Sequence, residues 1–186
     1  MLAILDAIGV GRAAFICQLM GGWTGSQVAL RHRDRMTALV MSHTPGVFTN
    51  ERAINDPEKV RDPASQPRGA FGNAALAHDF PERDPAGAVL YNQISAFNGI
   101  DPSAVPRQIG RAGLNVDTAT LEDWNVPTLF VSADKDILFP ADYIEALAST
   151  LPGARFVNLG DAGHSSYFER PAAFNDAVAG FLAEAP

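Results

Sequence analysis

One stretch near the start of the chain limits its possible folds more than any other. Residues 13–17 form a short apolar run, Gly21 and Gly22 interrupt it, and residues 23–32 mix apolar and polar side chains with helical spacing. This order predicts a short buried strand that turns sharply into a helix. In sheets built from such units, functional groups lie just beyond the carboxyl ends of the strands. The turn between the two elements is therefore the first candidate for a site.

The turn has the spacing of the nucleophile elbow, G-x-S-x-G, which exposes a serine at the tip of a strained strand-to-helix turn. The motif positions hold Cys17, Gln18, Leu19, Met20 and Gly21. Leucine in the serine position supplies neither a nucleophile nor a proton that a base could remove. Strain at such a position costs ~1–3 kcal/mol, and the first glycine is replaced as well. We therefore expect the turn to be relaxed or shifted.

Two further motifs follow predicted strands in the second half of the chain. Asp136 comes just after the apolar run 127–133, which predicts a buried strand. His164 comes after the short strand predicted at 155–159, in a loop that begins with glycine. Each motif is weak alone, but their order along the chain is informative.

Taken in order, the motifs resemble those of the α/β hydrolases, from the helix before the elbow to the C-terminus; the matching residues are Gln18, Met20, Gly21, Gly22, Asp136, Gly163 and His164. The resemblance implies that Leu19 occupies the nucleophile position and that His164 is the general base. It implies that Asp136 holds the histidine ring in one tautomer and that the Met20 N–H is an oxyanion donor. It also implies several strands and a second donor before the elbow strand, so the chain is interpreted as an N-terminally truncated member.

These observations predict an α/β fold: a partial α/β-hydrolase fold with a parallel sheet remnant, flanking helices and a helical cap insertion. The α/β core is assigned to residues 1–46 and 120–186. The segment 47–119 holds more than half of the prolines and loses the alternation of strand and helix. We predict that this segment is the cap, and a loose proline-rich connection is the alternative. Helices are predicted at 1–8, 69–78, 86–97, 103–112, 142–150 and 172–183, and a further strand at 36–41.

Composition narrows the range of partners. The formal net charge of −7 argues against nucleic acid, and no apolar run reaches the ~18 residues of a membrane helix. The single cysteine excludes a disulfide within the chain. No spacing typical of metal ligands and no phosphate-binding loop is visible. We expect a cytoplasmic protein that takes a small-molecule ligand, without metal, cofactor, nucleic acid or membrane.

The function implied by the resemblance is hydrolysis of an ester or related bond in a small lipophilic substrate, impaired here by Leu19. Two alternatives stay open: a His–Asp dyad enzyme without a covalent intermediate, and a binding or assembly module that keeps only the fold. Cys17 is disfavoured as a substitute nucleophile because a buried thiol is usually inert, and Ser26 is equally disfavoured. Ser42 and His43, at the tip of the next strand, are candidate pocket residues.

The edge of the predicted sheet suggests an assembly. In the fold that the chain resembles, the elbow strand has a neighbour on each side, whereas here one side is expected to be bare. Such an apolar edge can pair with another strand. We therefore expect a homodimer or larger assembly with residues 1–17 in the contact; a monomer whose tail or cap covers the edge is the alternative.

Overall fold

The computed structural model describes residues 1–50, 74–97 and 115–185. In chain order its strands are β1 (Ala13–Gln18), β2 (Met36–Ser42), β3 (Phe48–Thr49), β4 (Val116–Asp117), β5 (Thr128–Ser132) and β6 (Arg155–Asn158). The main sheet is parallel throughout, with the spatial order β1-β2-β5-β6. The short strands β3 and β4 pair with each other, also in parallel. The predicted parallel α/β sheet is confirmed.

The helices in the described residues are α1 (Leu2–Ala7), α2 (Gly21–Arg31), α3 (Phe80–Arg83), α4 (Pro85–Ala96), α5 (Ala141–Thr150), α6 (Ser166–Glu169) and α7 (Pro171–Glu184). The helix predicted at 86–97 is confirmed as α4. The helix predicted at 103–112 lies outside the described residues, as do residues 69–73 of the one predicted at 69–78. Residues 74–78 form turns and loop rather than helix.

Two hydrophobic layers cover the sheet because successive strand residues point to opposite faces. Leu39 and Phe130 pack on one face among buried residues of α2 and α5. Val40 and Leu129 pack on the other face against α7. The strand β5 is buried along its whole length, as expected for a central strand covered on both faces.

The strand β1 is covered on one face only. Phe15 and Cys17 are buried against α2, whereas Ile16, on the opposite face, is exposed. Within the described residues β1 pairs with β2 alone, so its outer edge carries no strand. In the same ranges, every helix is too short or too polar to cross a membrane.

Candidate active site

The elbow between β1 and α2 keeps a left-handed residue at its tip. Leu19 has φ +46°, its N–H donates to the Ser42 carbonyl (3.2 Å), and its carbonyl accepts from the Gly22 N–H (2.9 Å). The expectation of a relaxed turn is therefore wrong. The backbone adopts the strained form even though leucine is costly in this region of φ.

The strained turn survives the loss of the first motif glycine because another glycine makes room for the replacement. A Cβ placed on Gly25 of α2 would lie only 2.4 Å from the Cys17 sulfur. The bare backbone of Gly25 therefore accommodates the Cys17 side chain, and strand and helix still approach closely. Gly22 has a similar role, since a Cβ there would lie 2.4 Å from the Thr44 methyl carbon.

The groups nearest the elbow offer no substitute for the missing serine. Burial raises the pKa of the Cys17 thiol to about 11, although a backbone hydrogen bond at Gly25 opposes the shift. A neutral thiol on the buried side of a strand is not a nucleophile at neutral pH. Ser26 is buried, and its hydroxyl donates to the Gly22 carbonyl at 2.6 Å.

Met20 keeps the backbone position that the oxyanion prediction requires. It follows Leu19 and directly precedes α2, where amide N–H groups lack helical acceptors. In the described part of the chain, its N–H donates to no protein acceptor. The N–H is therefore available to a ligand oxygen, although the oxyanion role itself stays a prediction.

Asp136 lies four residues beyond β5, and four N–H groups surround its carboxylate. Its Oδ1 accepts from the backbone N–H groups of Leu138 (2.8 Å) and Phe139 (3.0 Å). Its Oδ2 lies 2.8 Å from His43 Nδ1 and 3.0 Å from His164 Nδ1. Burial alone would raise the pKa of Asp136, but the hydrogen bonds from His164 and His43 outweigh it and lower the pKa to about 2. The carboxylate is therefore ionised at neutral pH.

His164 presents the arrangement of a general base. Because Nδ1 faces Asp136, the proton belongs on Nδ1 and the lone pair on Nε2. Nε2 is buried and has no hydrogen-bond partner in the described residues. A buried polar atom without a partner is uncommon, and in this position it suits a ligand or a reacting group. The structure thus brings the predicted acid and base together, 28 residues apart in sequence.

Neighbouring elements hold the loop that carries His164. Gln18, next to the elbow tip, donates from Nε2 to the His164 carbonyl (3.0 Å), and its Oε1 accepts from the Ser42 hydroxyl (2.6 Å). On the opposite side of the loop, the Tyr91 hydroxyl of α4 lies 2.7 Å from Ser165 Oγ. The elbow, β2 and α4 therefore hold the loop that carries His164 in place together.

His43 has more contacts in the site than its sequence position predicts. Its position at a strand tip indicates only a pocket residue, yet it is fully buried and shares Asp136 with His164. Its other ring nitrogen, Nε2, lies 2.6 Å from Ser166 Oγ. The one signal in the sequence is its position at the carboxyl end of β2, where functional groups collect.

Within the described residues, the same three side chains form the cluster suited to a metal ion. Ligand-type atoms of His43, Asp136 and His164 lie within 4.8 Å of one another. Those atoms already face each other at N–H···O distances, and the remaining carboxylate oxygen accepts two amides. A metal would have to displace both imidazole N–H bonds, so the geometry fits a hydrogen-bonded acid–histidine network better.

Fold and site together define the class of protein. Residues 1–171 match the family described as alpha/beta hydrolase fold. The chain therefore belongs to the α/β hydrolase family, as its motifs indicate.

The chain is similar to individual proteins both in sequence and in solved structure. RutD of Caulobacter sp. (strain K31), which carries the name of a carbamate hydrolase, is 30% identical over 193 residues, covering 98% of this chain and 69% of the relative. The enol-lactonase from Burkholderia xenovorans LB400 is 28% identical with a TM-score of 0.65, covering 98% of this chain and 70% of that one. A thermophilic esterase from Thermogutta terrifontis has a TM-score of 0.73 at 22% identity, covering 97% of this chain and 68% of that one.

Proposed function

We propose that this chain binds a small lipophilic carbonyl compound in the α/β hydrolase site but hydrolyses esters by the serine pathway weakly or not at all. The observation that carries the proposal is Leu19, which sits in the strained elbow position beside an intact Asp136–His164 pair. In the family chemistry, a side-chain oxygen attacks the carbonyl and the histidine takes its proton. A leucine side chain can do neither, so no acyl-enzyme forms at this position.

The relatives support the class of ligand. Their names describe hydrolysis of a carbamate, an ester and an enol-lactone. All three compounds contain a carbonyl carbon bonded to a heteroatom. The available Met20 N–H and the unpartnered His164 Nε2 fit such a group. The acidic net charge and the apolar residues beside the elbow favour a neutral ligand over an anionic one.

The test uses a serine-directed fluorophosphonate together with short p-nitrophenyl esters. We expect no labelling and negligible ester turnover for the unmodified chain. Leu19→Ser should restore labelling, because the backbone already holds residue 19 in the elbow conformation and His164 can take the proton. Turnover should stay low, because loss of one oxyanion donor costs ~10²–10³ in rate and the described residues offer one candidate donor, Met20.

Leu19→Ser combined with His164→Ala is the matched control and should not be labelled. Robust labelling of the unmodified chain would refute the proposal.

A dyad enzyme without a covalent intermediate is the second candidate, and the buried, unpartnered Nε2 of His164 is the observation that favours it. Such an enzyme would use His164 to take a proton from water or from the substrate itself. Its signature would be ester turnover that fluorophosphonate does not inhibit and that His164→Ala abolishes. Equal turnover in the unmodified chain and in His164→Ala would exclude this candidate.

We also propose that the chain assembles through β1 and acts in the cytoplasm. The bare outer edge of β1 and the exposed Ile16 support the assembly. A module that keeps only the fold would use the same surface without any chemistry at His164.

A further inference from the structure

We infer that His43 is a positioning residue of the site, which fixes the Asp136 carboxylate for His164 and ties the ends of β2 and the histidine loop together. The inference rests on the proposed roles of Asp136 and His164 as a dyad. It does not depend on whether the chain hydrolyses anything.

The first argument is the saturation of the carboxylate. Asp136 accepts from two backbone N–H groups at Oδ1 and faces two imidazole nitrogens at Oδ2. An ionised carboxylate has about four lone-pair positions for acceptance. Because all four positions are occupied, the Asp136 carboxylate cannot rotate without breaking a hydrogen bond. Without His43, one position on Oδ2 would be empty and the His164 bond would have a less firmly held acceptor.

The second argument concerns the tautomer of His43. A carboxylate only accepts, so His43 donates from Nδ1, and its Nε2 then accepts from the Ser166 hydroxyl at 2.6 Å. Both ring nitrogens are satisfied when the ring is neutral. The contacts with Asp136 and Ser166 therefore need only the one proton on Nδ1 of His43.

The third argument is the backbone of His43, which is held in an unusual conformation. Its φ is +51°, although the residue is not glycine, and its N–H donates to the Val131 carbonyl at 2.8 Å. Left-handed conformations of larger residues persist where the surroundings over-determine them, and they concentrate at functional sites. Here the strain directs the imidazole from the tip of β2 toward Asp136.

The fourth argument is the link to the histidine loop. Ser166 begins α6, two residues after His164, so a bond from His43 to Ser166 restrains the base from its C-terminal side. The imidazole rings of His43 and His164 also meet edge to face, with centroids 5.4 Å apart. His43 thus contacts the acid directly and the base both through its ring and through Ser166.

Ser166, His43 and Asp136 have the order and the distances of a Ser–His–Asp triad. Ser166 and His43 have no exposed surface, whereas His164 is 2% exposed and its Nε2 has no partner within the described residues. The same contacts therefore serve to position the dyad. We expect that fluorophosphonate does not label Ser166.

The experiment is NMR of ¹⁵N-histidine-labelled protein at about pH 8, above the ordinary range of imidazole titration. We expect both His43 and His164 to carry the proton on Nδ1. His43→Phe keeps the ring but no N–H, and it should speed exchange of the His164 Nδ1 proton with water roughly tenfold or more, because the acceptor is less firmly held. His43→Asn is the rescue variant: its side-chain amide can still donate to Asp136, so exchange should stay near that of the unmodified protein.

Three results would overturn the inference. One is a proton on Nε2 of His43 in the unmodified protein, which decides the question even if His43→Phe does not fold. Another is unchanged exchange of the His164 proton in folded His43→Phe. The third is labelling of Ser166 by the fluorophosphonate. The two NMR results require neither turnover nor labelling, so they succeed or fail independently of the proposed function, whereas labelling of Ser166 would count against both.

Discussion

Asp136 couples the chemistry of the site to the stability of the fold. The hydrogen bonds from His164 and His43 lower its pKa to about 2, below the ordinary value of 3.8. A carboxyl whose pKa is lower in the folded state stabilises the fold above its unfolded pKa and loses that contribution as the pH falls through its folded pKa. The window is therefore pH 4 down to pH 2, and the contribution is about 2 kcal/mol.

We predict that Asp136→Asn removes this contribution. An amide at this position would set an N–H₂ group against either the two histidines or the two backbone N–H groups, so the variant should lose about 2–4 kcal/mol at pH 7. Chemical denaturation at a series of pH values measures the effect. The unfolding free energy of the variant should also fall less steeply between pH 4 and pH 2 than that of the unmodified protein. Asp134→Asn, at an exposed acid of the same loop, is the control, and an equal loss in both variants would contradict the prediction.

The proximity of Asp136 and His164 could be predicted from the sequence, whereas the contacts of His43 could not. Asp136 and His164 each follow a recognisable strand and sit in short motifs of fixed order. His43 makes its contacts with residues 93 and 123 positions away, and its position at the tip of a strand indicates a pocket residue but not these partners. The left-handed φ of Leu19 was mispredicted for a similar reason, since Gly25 compensates for Cys17 across the strand–helix contact.

At the scale of elements, Glu169 joins the histidine loop to the start of the segment 74–97. Its Oε1 accepts from the backbone N–H groups of Ala77 (2.9 Å) and Gly163 (3.0 Å). Its Oε2 accepts from Arg83 of α3 (3.2 Å). Burial raises the pKa of Glu169, and the bonds from Ala77, Gly163 and Arg83 offset the shift only in part. The buried Glu169 carboxylate thus links its own helix α6 to the histidine loop and to the stretch that begins α3.

We predict that Glu169→Ala lowers the unfolding free energy by about 1–3 kcal/mol, because two buried backbone N–H groups lose their acceptor. Glu169→Gln keeps an acceptor oxygen and should lose less. Urea denaturation of both variants gives the comparison, with Glu122→Ala at an exposed position as the control. A Glu169→Ala protein as stable as the control would show that water replaces the carboxylate at no cost.

The longer elements could be predicted to within one or two residues, and the shortest could not. A continuous apolar run, as in β5, or a helical apolar period, as in α7, is itself a signal in the sequence. The strands β3 and β4 have only two residues each, too few for a detectable period, and their paired residues lie 68 positions apart in sequence. Phe48 of β3 packs against Trp124 and Phe130 in the main core, a tertiary contact that no local pattern predicts.

At the scale of the whole molecule, most of the large exposed hydrophobic side chains of the described residues lie in two stretches, residues 1–20 and residues 89–97. Among the described residues, large exposed hydrophobic side chains at the start of the chain are Met1, Ile4, Ile8, Ile16 and Met20. The outer edge of β1 also presents backbone N–H and C=O groups that no strand of the described residues pairs with. Lysine, proline and inward-pointing charged residues usually keep an edge strand from pairing with another chain. The strand β1 contains none of these residues. Arg12, just before it, donates instead to the Met36 carbonyl.

A two-fold dimer would cover this edge, since two copies of β1 can pair antiparallel and extend the sheet across both subunits. We predict that the 19.8 kDa chain sediments as a dimer or larger assembly at micromolar concentration. Ile16→Lys should shift it to the monomer, because Ile16 is 54% exposed beside the unpaired edge and a charge there opposes pairing. Ile94→Lys is the matched control, since Ile94 is 53% exposed but lies on α4. A monomer of the unmodified chain at that concentration would refute the assembly, and dissociation by both substitutions alike would show that β1 is not the contact.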